Sequence, residues 1–169
     1  AHPYFAVRGL TPETVAEFGL GFCNKGSMTG RVVIPIQNAE GQLVAYAGRW
    51  PGTPTGDTPK YRLPPGFKKS LELFNVHRAI KTDPSQPLIV VEGFFDCMKL
   101  WQHGLKRVVG LMGSTLSPAQ VQLIVKHTNG ESRILLMLDE DDAGRAGCGQ
   151  ALQCLAPKAF VKAFRFPKE

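Results

Sequence analysis

From residue 88 onward, apolar and polar positions fall into two alternating kinds of block. Residues 88–91, 108–111, 134–138 and 160–166 are short runs of branched and apolar side chains, which predict strands buried on both faces. The intervening segments 96–102 and 143–155, and the stretch carrying Val121, Leu123, Ile124 and Val125, have helical spacing. Ser117 followed by Pro118 reads as an N-cap with proline at the first helical position. Strands and helices alternating at this spacing predict a parallel sheet of four strands flanked by helices. Before Pro87 the pattern changes: Thr11-Pro12 opens a short helix through Phe18, and residues 32–36 and 43–47 flank a turn with Asn38 and Gly41, an antiparallel hairpin. Residues 51–66, with five prolines and three glycines, predict a loop. The polar segment 81–87 carries two prolines and marks the boundary between an α+β lobe, 1–83, and an α/β domain, 84–169.

A length of 169 residues, 43% hydrophobic, admits one good core or two small lobes and excludes a disordered chain. No apolar run approaches the roughly 20 residues of a membrane helix, and no signal-peptide layout opens the chain, so no membrane role is expected. Cys23, Cys97, Cys148 and Cys154 form no CxxC pair and lie far from the four histidines, which argues against zinc and for reduced thiols in the cytoplasm, with Cys97 in a core. The sequence begins at Ala1 and stops at Phe166-Pro167-Lys168-Glu169, as a domain cut from a longer protein would.

Charge sharpens the picture. Twenty Lys and Arg face fourteen Asp and Glu, a net charge of +6, but Glu92, Asp96 and the run Asp139, Glu140, Asp141, Asp142 supply six of the acids. A basic surface around one acidic spot suits a protein that holds a polyanion over metal ions. Ligands of an open parallel sheet bind at the carboxyl ends of its strands, where Glu92 and Asp139 both stand. In extended chain, Asp139 and Asp141 would point the same way about 6–7 Å apart and face Glu92. Three converging carboxylates repel unless cations lie among them, and hard oxygen donors suit Mg²⁺ or Mn²⁺. Read singly, each acid after a strand is better taken as a turn former or a cap, Asp142 before the helix above all.

Val90-Val91-Glu92-Gly93-Phe94-Phe95-Asp96, Leu111-Met112-Gly113-Ser114-Thr115-Leu116 and Leu138-Asp139-Glu140-Asp141-Asp142-Ala143-Gly144-Arg145 resemble the three signatures of the Toprim fold of DnaG-type bacterial primases. The likeness extends through the first lobe, in Arg8-Gly9-Leu10, Phe18-Gly19-Leu20-Gly21, Arg31-Val32-Val33-Ile34-Pro35-Ile36, Gly48-Arg49, Lys60-Tyr61 and Lys69 with Leu73-Phe74. It departs at Glu140, where a glycine is usual, and after Tyr61, where an Asn-Ser element is missing. The resemblance implies a primase-like α+β lobe followed by a Toprim domain, and synthesis of short RNA primers on single-stranded DNA from nucleoside triphosphates. It implies Glu92, Asp139 and Asp141 as catalytic metal ligands, and Arg8, Arg31, Arg49, Lys60 and Lys69 as the basic groove for template and nucleotide. A replicative helicase would be met through regions outside this sequence. Trp50 and Tyr61 either stack on bases or pack on the hairpin, whereas Phe94 and Phe95 begin a core helix. The competing classes are a metal-dependent Toprim nuclease and a non-catalytic nucleic-acid-binding module of a larger replication protein. A topoisomerase is disfavoured because Tyr4, Tyr46 and Tyr61 all lie in the primase-like lobe.

Overall fold

The computed structural model describes residues 2–128 and 133–164. The chain forms two compact units, Ala1–Gln37 with Gln42–Phe67 and Asn38–Gly41 with Lys68–Glu169. In the first, helices α1 (Tyr4–Val7) and α2 (Pro12–Glu17) precede strands β1 (Gly21–Cys23), β2 (Arg31–Gln37), β3 (Leu43–Arg49) and β4 (Tyr61–Arg62). Thr11 Oγ1 accepts from the Thr14 N–H at 3.3 Å, and Pro12 opens α2 without sacrificing a helical hydrogen bond. The strands form one antiparallel sheet in the order β1-β2-β3-β4. From Val32 onward along β2 the period of two is clean: Val32, Ile34 and Ile36 are buried, while Val33, Pro35 and Gln37 are half-buried. Ile34 and Ile36 lie opposite Ala47 and Ala45, so large residues face small ones. Part of the expected loop 51–66 is instead sheet. Tyr61 and Arg62 pair with Arg49 and Gly48, a ladder too short to stand out among prolines and glycines.

The second unit contains α3 (Val76–Ala79), β5 (Leu88–Val91), α4 (Phe94–Gln102), β6 (Val108–Gly110), α5 (Pro118–Thr128), β7 (Ile134–Met137), α6 (Asp142–Leu155) and β8 (Val161–Ala163). Its strands are all parallel, in the order β6-β5-β7-β8. Every residue of β5 is buried, the mark of a strand covered on both faces. Leu88 and Val90 join Ile134, Leu136, Val121, Ile124, Ala151 and Leu155 in one apolar cluster. The expected fourth strand ran to Phe166; residues 165–169 lie outside the described residues.

The units divide between Phe67 and Lys68, earlier than the polar segment at which a boundary of 83/84 was expected. The reason is packing. Leu73, Phe74, Val76 and Ala79 are buried, Phe74 bridges to Gly110, and the Asn75 amide donates to the Val108 carbonyl at 2.9 Å. Proline content marks a loop but does not show which sheet the preceding apolar residues cover. Among the described residues, no helix is long and apolar enough to cross a membrane.

Candidate functional site

Strands β5 and β7 are neighbours, with Val91 paired to Met137, so the residues that follow them emerge side by side at the carboxyl edge of the sheet. Glu92 Oε1 accepts a hydrogen bond from the Asp139 backbone N–H at 3.1 Å. Asp141 is the N-cap of α6, and its Oδ1 accepts from the Gly144 N–H at 2.8 Å. The cap expected at Asp142 therefore lies one residue earlier. Asp141 has the extended backbone of a cap, whereas Asp142 is the first helical residue and pairs with Arg145. Asp139 meets Glu92 through its main chain, and one oxygen of Asp141 is committed to the helix. Among the described residues, no group of three or more His, Cys, Asp or Glu side chains is drawn together into a metal cage.

The carboxylates still sense one another. Burial, and then the negative charges of Asp139, Asp141 and Asp96, push the Glu92 carboxyl above the usual carboxylate range, against the opposing effect of the Asp139 N–H. Hard, mutually repelling oxygen donors at an exposed edge are of the chemical type that suits a divalent cation.

Two glycines on α6 bring the surrounding loops close. A Cβ at Gly144 would overlap the Asp139 carbonyl and crowd Glu92 Oε1, and a Cβ at Gly147 would overlap the Ser114 carbonyl. Three residues apart, they present one bare helix face to the acidic turn and to the loop after β6. The sequence signal was the Gly144, Gly147, Gly149 series inside a helical segment, which binary patterning alone does not interpret.

The five basic residues do not form one set. Lys69 belongs to the second unit, where its ammonium donates to the Met112 carbonyl at 3.0 Å. Arg8, Arg49 and Lys60 belong to the first. The Arg49 guanidinium lies over the rings of Tyr61 and Tyr4, 5.0 and 5.9 Å from their centroids, and its Nε donates to the Trp50 carbonyl at 3.2 Å. Burial raises the Tyr61 phenol above its ordinary pKa, and the charges of Arg49 and Arg8 oppose that rise. Arg8 and Lys60 are exposed.

Arg31 corrects the expectation that it lines a phosphate groove. It is 3% exposed, and its Nη1 donates to the carbonyls of Gly48 at 3.2 Å and Pro59 at 2.9 Å. Trp50 covers it at 5.6 Å, which fits the packing alternative for that indole. Position 31 faces the side of β2 that the loop residues 50–59 close over, so its Nη1 is engaged within the fold. Phe94 and Phe95 are buried, as expected of core residues, and Phe94 meets Phe74 edge to face.

Residues 89–169 match the Toprim-like family. The chain is 26% identical over 204 residues to a DNA primase of Clostridium acetobutylicum, covering 99% of this chain and 33% of the primase. It is 35% identical over 153 residues to a DNA primase of Staphylococcus aureus, covering 85% and 24%. The Aquifex aeolicus primase structure with zinc-binding and RNA polymerase domains superposes with a TM-score of 0.85 at 26% identity, over 98% of this chain and 49% of that one. A DnaG primase catalytic domain bound to single-stranded DNA superposes at 0.82 and 26%, over 98% and 63%. The chain spans 33% and 24% of the length of the two curated relatives.

Proposed function

We propose that this chain, similar to the catalytic cores of DnaG-type bacterial primases in sequence and in fold, carries the nucleotidyl-transfer centre of an RNA-primer synthase acting on single-stranded DNA. The observation that carries the reading is the placement of Glu92 and Asp139 at the carboxyl ends of adjacent parallel strands, with Asp141 close enough to oppose the ionisation of Glu92. Glu92, Asp139 and Asp141 would hold Mg²⁺ or Mn²⁺. Bound there, the ions would supply charge screening for the triphosphate and a more acidic primer 3′-hydroxyl. The protein's own part is orientation. The Asp139 N–H fixes the Glu92 carboxylate, the Gly144 N–H fixes that of Asp141, and Gly144 lets the acidic turn approach α6.

In the first unit, Arg49 held over Tyr61, with Arg8 and Lys60, would grip the template backbone, and aromatic faces in such grooves stack on bases. Lys69 would contact nucleotide phosphate from the second unit.

The test is extension of an RNA primer pre-annealed to a DNA template, in Mn²⁺. Glu92→Gln should slow extension by roughly a hundredfold or more, the scale of removing one transition-state contact, while binding of single-stranded DNA persists. Extension by the variant at the parent rate would show that the acidic turn is not the reaction centre. Strand loss in Mn²⁺ without added nucleotides would point to a nuclease instead.

A further inference from the structure

Where β6 ends, the second unit holds a set of polar contacts that the carboxylates do not explain. Gln120, in the first turn of α5, is 1% exposed, and a side-chain amide so deeply buried needs partners for its polar atoms. Its Nε2 donates to the carbonyls of Glu72 at 2.8 Å and Leu111 at 3.1 Å, with that of Lys69 at 3.4 Å. Its Oε1 accepts from the Ser117 N–H at 3.0 Å. Reversing the amide would set its oxygen against three carbonyl oxygens, so the surroundings allow one orientation. One side chain thus ties together the short turn Lys69–Leu71, the end of β6 and the start of α5. Ser117 adds a second tie, its hydroxyl donating to the Ser70 carbonyl and accepting from the Gln120 N–H.

What these ties present is Lys69. Its ammonium donates to Met112, a residue at φ +61°, a left-handed conformation that side chains with a Cβ rarely adopt and that clusters at working sites. Gly113 follows, and a Cβ there would crowd the Lys69 Nζ at 2.9 Å. An exposed lysine ordinarily keeps much rotamer freedom, which a ligand must quench. Lys69 is held at its main chain by the Gln120 region and at its tip by Met112, with two ammonium N–H groups left for an anion. The loop it leans on touches α6 at Gly147, three residues from the Gly144 seat of the acidic turn.

We propose that Gln120 is a positioning residue that presets Lys69 as a contact for the triphosphate of the incoming nucleotide, an inference that rests on the primase reading above. The experiment measures binding of a fluorescent ATP analogue in Mn²⁺ to the whole chain, with Mn²⁺ binding itself followed by paramagnetic resonance. Lys69→Ala and Gln120→Leu should each weaken nucleotide binding roughly tenfold, as loss of one charge-assisted contact does. The double variant should bind no more weakly than Lys69→Ala, and Mn²⁺ binding should stay at the parent level. A purely structural role for Gln120 would instead lower thermal stability with nucleotide binding unmoved, or would add to the Lys69→Ala loss, and either result overturns the proposal. If Gln120→Leu does not fold, Ser117→Ala loosens the same tie and is judged by the same non-additivity with Lys69→Ala. If Lys69→Ala itself binds the analogue as the parent does, the nucleotide assignment of Lys69 fails and the proposal falls with it. If Lys69 matters and neither tie does, the proposal alone fails.

Discussion

Glu92 shows how one side chain is balanced between the fold and its proposed chemistry. The pKa of its carboxyl is raised by burial and by three neighbouring carboxylates, so the folded state holds that proton more tightly than the unfolded chain does. The sign follows from linkage. A group whose folded pKa lies above its unfolded value, about 4.3 for glutamate, stabilises the protein below that value, and the contribution is lost as pH rises through the folded pKa. Glu92→Gln keeps an oxygen to accept from the Asp139 N–H and discards the charge. In chelator, the variant should therefore be the more stable protein at pH 7, by about 0.5 kcal/mol, the scale of a solvent-screened charge contact. It should have no advantage near pH 3, where the parent carboxyl is protonated too. Mn²⁺ should narrow or reverse the difference at pH 7, because a cation favours only the carboxylate. Thermal melts at both pH values, with and without Mn²⁺, decide this; an advantage unaffected by pH would mean that charge is not its source.

The glycines of helix α6 look alike in sequence and differ in what they touch. Gly149 has open space around the position of a Cβ, whereas a Cβ at Gly147 would strike the Ser114 carbonyl. Alanine is favoured over glycine in a helix interior by about 1 kcal/mol, so Gly149→Ala should stabilise the chain by up to that amount. Gly147→Ala gains the same propensity but must push backbone from backbone, and a net loss of about 1–3 kcal/mol is expected from overpacking. Denaturant melts of the two variants test the pair, and equal effects would mean that the loop after β6 does not rest on α6. Much of the fold was legible at this scale: β5, β7 and the Ser117-Pro118 start of α5 follow from apolar runs and cap chemistry that act locally. What was not legible depends on partners distant in sequence. The strand at Tyr61 exists because Arg49 and Gly48 offer it a ladder. Residues 68–83 belong to the second unit, where Phe74 bridges to Gly110. The cap at Asp141 was missed by one residue because two adjacent aspartates offer the same chemistry and only backbone geometry chooses between them.

Across the whole molecule, a net charge of +6 coexists with six acids gathered at Glu92, Asp96 and Asp139 to Asp142. Charge counting cannot say which of the basic residues remain available to a polyanion, and the structure divides them. Arg31 is buried beneath Trp50 with its Nη1 on the Gly48 and Pro59 carbonyls, whereas Lys60 is exposed and Arg49 lies across Tyr61. Its buried position could not be read from a strand-opening arginine, because the covering residues come from a loop near Pro59. Binding to single-stranded DNA should weaken with salt in proportion to the phosphates neutralised, by a slope of about 0.7 per contact. Arg49→Ala and Lys60→Ala should each flatten the dependence of log affinity on log salt by roughly that amount, with folding intact. Arg31→Met should behave oppositely. The buried Gly48 carbonyl would lose this donor, as would the more exposed one of Pro59, costing about 1–3 kcal/mol of stability, while the salt slope at a temperature where the variant is folded should match the parent. Oligothymidylate titrations at several salt concentrations, paired with melts, separate the two outcomes. A slope flattened by Arg31→Met as much as by Arg49→Ala would place Arg31 among the phosphate contacts after all, and would mean that the loop around Pro59 opens when DNA binds.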